Sequence, residues 1–176
     1  MTFTVGEKVF YPGRGPCLIS AIVEKVVCGL STSFYRLVLL DDSGAEVFVP
    51  LDHLRPPPLR ALLDRSEIPG LLSHLTPRPG VVRDPGTAKN WRQREIDNTK
   101  LFNSGSIFDL ADLIESLTQL SSLKTLAPYD RDALYRAKRL LICEISEVMG
   151  ESKKAAEARI DGALEIARNK TNPSFA

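Results

Sequence analysis

Three consecutive prolines, Pro56-Pro57-Pro58, constrain the fold of this chain more than any other feature. Each proline ring fixes φ and removes a backbone donor, so the triplet favours a stiff linker over a helix or a central strand. Before it, short runs of β-branched and aromatic residues alternate with turn residues; after it, apolar residues recur at helical spacing. The sequence therefore predicts two domains of different secondary structure, an α+β chain.

The first 54 residues have the pattern of a small β domain. Strands are predicted around Val9, over Cys17–Val27, over Ser33–Leu40 and over Ala45–Val49. A glycine-proline corner at Pro12–Pro16 and the Asp41–Gly44 turn separate them. So few residues cannot form two full layers, which predicts a small Tudor-like or SH3-like barrel, or a strongly bent sheet. We expect this domain over residues 1–55 and the proline-rich linker over 56–65.

The sequence after the linker predicts a compact bundle of four or five helices over residues 66–170, followed by a flexible tail at 171–176. Two short helices are expected first, at Leu59–Leu63 and from Ser66 to Leu75. The later elements are a helix over Thr87–Gly105, a helix capped by Ser106, a connection at Leu120–Leu126, a helix begun by Pro128 and ended at Gly150, and a last helix from Ser152.

The helix at Thr87–Gly105 carries the single Trp of the sequence, Trp91. Helical spacing puts Trp91 on one face with Arg94, Glu95 and Asn98, and that face is polar. Two interpretations stay open on this evidence. Trp91 is either covered by a neighbouring helix or loop, or it is exposed and contacts a partner.

Charges are distributed unevenly along the chain, although the net charge is +1. Residues 1–54 carry 4 basic and 6 acidic side chains, whereas residues 83–100 carry 5 basic and 3 acidic ones. Such an asymmetry suggests different partners for the two parts.

The residues needed for catalysis or metal binding are sparse. Cys17, Cys28 and Cys143 lack CxxC spacing and are expected to be reduced thiols. His53 and His74 have no nucleophile or carboxylate at motif spacing, and no glycine-rich phosphate loop is present. We therefore expect no enzyme activity, no cofactor and no metal. The chain also lacks a leader pattern and an apolar run of about 18 residues, which predicts a cytoplasmic protein without a membrane partner. A monomer is expected.

Several segments taken together resemble the CarD/CdnL family of bacterial transcription regulators. These are VGEKVFYPGRGPCLISAI at the start, Val47-Phe48-Val49-Pro50, NWRQRE around Trp91, NSGS at 103–106 and DALYRAKRLLICEIS in the long helix. The resemblance extends from residue 3 to about residue 165. It implies that the barrel, similar to the domain of transcription-repair coupling factors that contacts RNA polymerase, binds the polymerase β subunit. It also implies that the helical domain contacts promoter DNA at the upstream edge of the melted region.

By this resemblance, Trp91 wedges into the minor groove beside the junction of duplex and bubble and stabilises the open complex. Lys89, Arg92, Arg94, Arg136 and Lys138 are then the candidates for phosphate contacts, and Lys25, Val47 and Phe48 for polymerase contacts. Gln93 and Glu95 depart from the family pattern, which often has a basic residue and an aromatic residue there. An alternative follows from these departures: a protein-only adaptor that binds polymerase or another partner without contacting DNA. Activation and repression are not distinguished by the residues.

Overall fold

A computed structural model describes residues 3–51, 59–76 and 91–171, with the backbone alone for Trp91 and 166–171. The chain divides into two compact units, residues 1–62 and residues 63–176. The division falls within the predicted linker. The proline triplet, His53, Lys89, Thr87 and the tail at 172–176 lie outside the described residues.

The N-terminal unit contains a five-stranded antiparallel sheet, which confirms the predicted β domain. Its strands are β1 (Lys8–Tyr11), β2 (Gly15–Val27), β3 (Leu30–Leu39), β4 (Glu46–Pro50) and β5 (Arg60–Ala61), in the spatial order β4-β3-β2-β1-β5. The prediction of a helix at Leu59–Leu63 is wrong, because Arg60 and Ala61 form a strand that pairs with β1. The Arg60 guanidinium lies 3.9 Å from the centre of the Phe10 ring, a contact that no local pattern reveals.

One face of the sheet forms the core of this unit. Its buried side chains come from four strands: Val9, Cys17, Ile19, Tyr35, Leu37, Leu39 and Val49. Alternation along each strand sends every second residue to this face, and a shift in register between Ile19 and Ala21 interrupts the alternation on β2. The Tyr35 hydroxyl donates to the Phe3 carbonyl at 3.1 Å, which ties the N-terminal segment to the core.

A two-residue turn joins β2 to β3. Cys28 and Gly29 both have positive φ, 52° and 79°, and Val27 pairs with Leu30 across the turn. Two positive φ values between paired strands are the geometry of a type I′ hairpin. Cys28 thus occupies a position that favours Gly or Asn, at the exposed tip of the hairpin.

The second unit is helical, as the sequence predicts. A single 3₁₀ turn at Arg65–Glu67 leads into α1 (Ile68–Leu75), and α2 (Trp91–Ser104), α3 (Ile107–Leu123), α4 (Pro128–Met149) and α5 (Lys153–Thr171) follow. Ser106 caps α3 by accepting a hydrogen bond from the Asp109 backbone N–H at 3.2 Å, as predicted. Gly150 ends α4 with φ 66°. The expected connection at Leu120–Leu126 begins later, because α3 continues to Leu123 with Leu120 fully buried.

Apolar side chains from α1, α3, α4 and α5 form the core of the helical unit. The largest fully buried ones are Ile68, Leu71, Leu75, Leu110, Ile114, Leu120, Leu141, Ile145 and Ile160. A buried carboxylate on α4, Glu144, accepts a hydrogen bond from the Leu63 backbone N–H at 3.0 Å and so fixes the first residue of this unit. Within the described residues, no helix is both long and apolar enough to cross a membrane.

Candidate nucleic-acid and polymerase interfaces

The helix that carries Trp91, α2, is fastened to α4 by an ion pair. Arg94 donates from Nε to Asp130 Oδ1 at 3.2 Å and from a terminal nitrogen to Oδ2 at 3.0 Å. The side chains are 14% and 2% exposed, respectively. A bidentate pair shielded from solvent is stronger and more directional than a surface pair, because both partners have fixed planar geometry. Arg94 therefore holds the first turns of α2 against the first turn of α4.

Two further contacts show that α2 and α4 run in the same direction. The Tyr129 hydroxyl donates to the Glu95 carbonyl at 3.3 Å, and the Arg136 guanidinium lies 4.6 Å from the centre of the Phe102 ring. Residue numbers thus rise together along both helices. Parallel helices have their N-termini at the same end, where the partial positive charges of both macrodipoles add. Trp91 is the first described residue of α2 and lies toward this end.

Tyr129 sits in a small polar cluster at the contact between α2 and α4. Burial raises its pKa above the ordinary value, and the nearby Glu95 charge acts in the same direction. Hydrogen bonds with the Thr99 and Asn98 side chains and the positive charge of Arg136 oppose that rise. The phenol therefore stays protonated at neutral pH, and its hydroxyl remains available as a donor.

The residues that the sequence nominates for DNA contact are in different surroundings. Arg92 is exposed near the start of α2, and Arg136 is exposed over Phe102. Arg94 is largely buried against Asp130. Lys138 donates to an Asp161 carboxylate oxygen at 2.6 Å, across α4 and α5. Of the five basic candidates, Arg94 and Arg136 both lie on the contact between α2 and α4 but at different turns, and Lys89 lies outside the described residues.

The two departures from the family pattern differ in their local contacts. Gln93 donates through its side-chain amide to an Asp97 carboxylate oxygen at 3.1 Å, a pairing one helical turn apart. Glu95 is exposed and its carbonyl accepts from Tyr129. Both side chains leave this part of α2 less basic than the family pattern.

Asp130 and Tyr129 are important residues of this region that sequence reasoning missed. Asp130 stands in the first turn of α4, where a carboxylate already has an ordinary explanation through the helix dipole. Its partner lies 36 residues earlier. The one sequence signal for this pair is the combination of a polar helix face around Arg94 with an acidic first turn in a later helix.

The predicted polymerase-binding residues lie on β2 and β4. The Lys25 ammonium is 3.3 Å from the centre of the Phe48 ring, a cation–π contact on the outward face of the sheet. An Arg36–Glu46 ion pair of 3.2 Å shares this face, because Arg36 is the register partner of Phe48. Val47 differs from the other two, since it packs against the core on the opposite face.

β4 is an edge strand of the sheet. The Leu39–Ala45 and Leu51–Ser33 hydrogen bonds show that odd-numbered residues from 45 to 51 bond to β3. In an antiparallel ladder the alternate residues turn their backbone groups the other way, so Glu46 and Phe48 direct theirs away from β3. Such an edge is suited to pairing with an added strand.

His74 belongs to a structural contact within the helical unit. Its Nε2 lies 2.6 Å from an Asp112 carboxylate oxygen, and its ring contacts Phe108 edge to face at 5.5 Å. Across the described ranges, no group of three or more His, Cys, Asp or Glu side chains is arranged to bind a metal ion.

Comparison with known proteins shows the class of protein to which the chain belongs. Residues 3–62 match the CarD-like/TRCF RID domain, and residues 82–161 match the CarD, C-terminal domain. A domain that interacts with RNA polymerase, followed by this helical domain, defines a transcription factor and not an enzyme.

The two matches are consecutive and together cover most of the chain, which belongs to the CarD family. A similar protein is "Putative transcription factor YdeB" of Bacillus subtilis (strain 168). It is 24% identical over 152 residues, which is 86% of this chain and 95% of that protein.

Proposed function

We propose that this protein binds the β subunit of RNA polymerase through its N-terminal sheet and stabilises the promoter open complex by inserting Trp91 at the upstream edge of the bubble. The observation that carries the proposal is the attachment of α2. This helix carries Trp91 as its first described residue and is held one turn further on by the bidentate Arg94–Asp130 pair. A side chain used as a wedge needs a rigid support, because ordering a mobile support on binding would cost conformational entropy and offset the free energy gained by the wedge.

The wedge acts by preferring one DNA state. An indole ring pressed against an unstacked base step gains apolar contact that an intact duplex does not offer. A ligand shifts an equilibrium only by the difference in its affinity for the two states, so Trp91 favours the melted form. Stacking on an exposed base is worth about 1–3 kcal/mol, which lengthens the lifetime of the open complex by roughly 5-fold to 150-fold.

Sequence-independent contacts support the wedge. Arg92 is exposed near the start of α2, and Arg136 is exposed on α4 at the level of Phe102, so each can contact a phosphate. Few basic groups mean weak affinity for free DNA. Binding to polymerase compensates, because it raises the local concentration of the helical domain at the promoter.

In this proposal the polymerase contact uses the outward face of β4 and the backbone edge that this strand turns away from β3. Its chemistry is that of strand addition: Glu46 and Phe48 offer backbone hydrogen-bonding groups, and the Lys25–Phe48 pair forms an amphipathic contact beside them. Val47 supports the surface from the core side. We place this activity in the cytoplasm and assign a monomer to each polymerase.

A second candidate is the protein-only adaptor, in which the helical domain binds another protein. Specific observations favour it: the Arg94 charge is satisfied by Asp130, Lys138 is paired with Asp161, and Gln93 replaces a basic residue. The two candidates differ in whether promoter DNA is touched.

Binding to a forked promoter duplex in the presence of polymerase separates them. Our proposal predicts that the protein increases retention of polymerase on the fork more than on a fully paired duplex. It also predicts that this gain weakens as salt is raised, because phosphate contacts release counterions. An equal effect on both duplexes with no salt dependence would establish the adaptor.

A further inference from the structure

We propose that Arg94 and Asp130 are positioning residues that set the direction of α2 on α4, and that Arg94 acts on the promoter through Trp91 and not by contacting phosphate. This inference rests on the proposed function of Trp91. It assigns a new role to Asp130, which has no predicted site role, and a different role to Arg94.

The first support is the burial and geometry of the pair. Two parallel hydrogen bonds of 3.2 and 3.0 Å use one edge of the guanidinium and both carboxylate oxygens. Asp130 is almost completely buried, and within the described part of the chain the Arg94 guanidinium pairs with its charge. An Arg94 side chain turned toward a DNA phosphate would leave that carboxylate unpaired in a desolvated site, which makes phosphate binding by Arg94 unfavourable.

The second support is the position of the pair on α2, close to Trp91. Among the described side chains of α2, only Asn98 and Phe102 are buried. Arg94 is one turn from Trp91, whereas Phe102 is 11 residues away, or about 16 Å along the helix axis. A tilt of about 10° around Phe102 would move the start of α2 by about 3 Å, and displacements of that size abolish a geometry-dependent contact.

The third support is directional. Apolar packing tolerates rotation and sliding of a helix, whereas a bidentate pair between planar groups accepts one arrangement. Polar pairs within helix contacts are known to fix register at some cost in stability. Here the pair joins α2 and α4 near the end of the two helices where Trp91 lies.

The test compares three full-length variants for thermal stability, polymerase binding, and the lifetime and salt dependence of the open complex. Arg94→Met removes the ion pair. Arg94→Met combined with Asp130→Leu replaces it by apolar contact and removes the unpaired charge, which preserves folding. Arg92→Met is the matched control, because Arg92 is an exposed arginine two residues away on the same helix.

We expect the double variant to keep wild-type thermal stability and polymerase binding but to shorten the open-complex lifetime on the order of tenfold. Its salt dependence should remain that of the wild type. Adding Trp91→Ala to the double variant should cause no further loss, because both changes remove the same wedge. Arg92→Met should instead reduce the salt slope by about one unit and add to the effect of Trp91→Ala.

Two outcomes would overturn the inference. One is an open-complex lifetime that returns to the wild-type value in the double variant, which would make the pair purely stabilising. The other is a reduced salt slope for Arg94→Met like that of Arg92→Met, which would make Arg94 a phosphate ligand. Failure of the proposed function has a separate signature: in that case Trp91→Ala itself leaves the lifetime unchanged.

Discussion

The three cysteines occupy chemically different positions. Cys17 is buried in the sheet core, where burial, together with the negative charge of Asp41, raises the pKa of its thiol to about 12. Cys143 is buried in α4, and Cys28 is exposed at the hairpin tip. Since the thiolate is the reactive form, exposure and ionisation together determine reactivity.

We therefore expect one rapidly reacting thiol per chain at pH 8 in a titration with an aromatic disulfide reagent. Cys28→Ser should remove that fast phase, and full denaturation should expose the two remaining thiols of this variant. A fast phase that persists in Cys28→Ser would show that one of the buried cysteines is accessible in the native state.

The cation–π contact between Lys25 and Phe48 requires both side chains, so replacing either one removes it. Lys25→Met or Phe48→Ala in the full chain should weaken binding to polymerase by about 1 kcal/mol, or roughly fivefold, with little change in thermal stability. The lysine exposed on α5, Lys154, provides the control, since Lys154→Met should leave polymerase affinity unchanged. Equal affinities for all three variants in a binding titration would remove this face from the interface.

Arg94 shows where reasoning from residues stops. The sequence places it on a polar helix face, and polarity suggests exposure. In the structure, the polar groups on that face are buried. Arg94 is paired with Asp130, and Asn98 is only 6% exposed. Local spacing cannot distinguish a solvated charge from one whose partner lies 36 residues away.

Helix ends with a strong local signal were predictable from the sequence. Ser106 and Pro128 begin α3 and α4, and Gly150 ends α4, because capping and fixed φ act within a few residues. Elements determined by distant contacts were not. Arg60–Ala61 forms a strand only because β1 is available to pair with it, and α3 continues through Leu120 to Leu123 because Leu120 enters the core.

The cap of α3 provides a direct test of this local control. Ser106→Ala removes the acceptor for the Asp109 N–H and should reduce the free energy of unfolding by about 1 kcal/mol. Ser121→Ala is a matched control, because Ser121 is exposed near the end of the same helix and only donates to the Thr118 carbonyl. Urea denaturation should show a lower midpoint for the first variant and a change within about 0.5 kcal/mol for the second. Equal midpoints would show that α3 does not depend on its cap.

The two units correspond to the two domains of a CarD-family transcription factor. In the described part of the chain, the N-terminal sheet ends on one side at β4 and has an amphipathic outward face, and the helical unit has a polar helix that carries the single tryptophan of the chain. Neither surface alone requires high affinity, since attachment through one raises the effective concentration of the other. The order of the units was predictable from the switch in hydrophobic periodicity; the contact between α2 and α4 was not.

The decay of preformed open complexes tests the role of Trp91 most directly. Promoter complexes formed with polymerase and this protein are challenged with a competitor, and the open fraction is followed over time for the wild type and for Trp91→Ala. We predict an unchanged affinity for polymerase and a lifetime shortened on the order of tenfold in the variant, because only the wedge is lost. Identical lifetimes for the two proteins at equal polymerase occupancy would contradict insertion of Trp91.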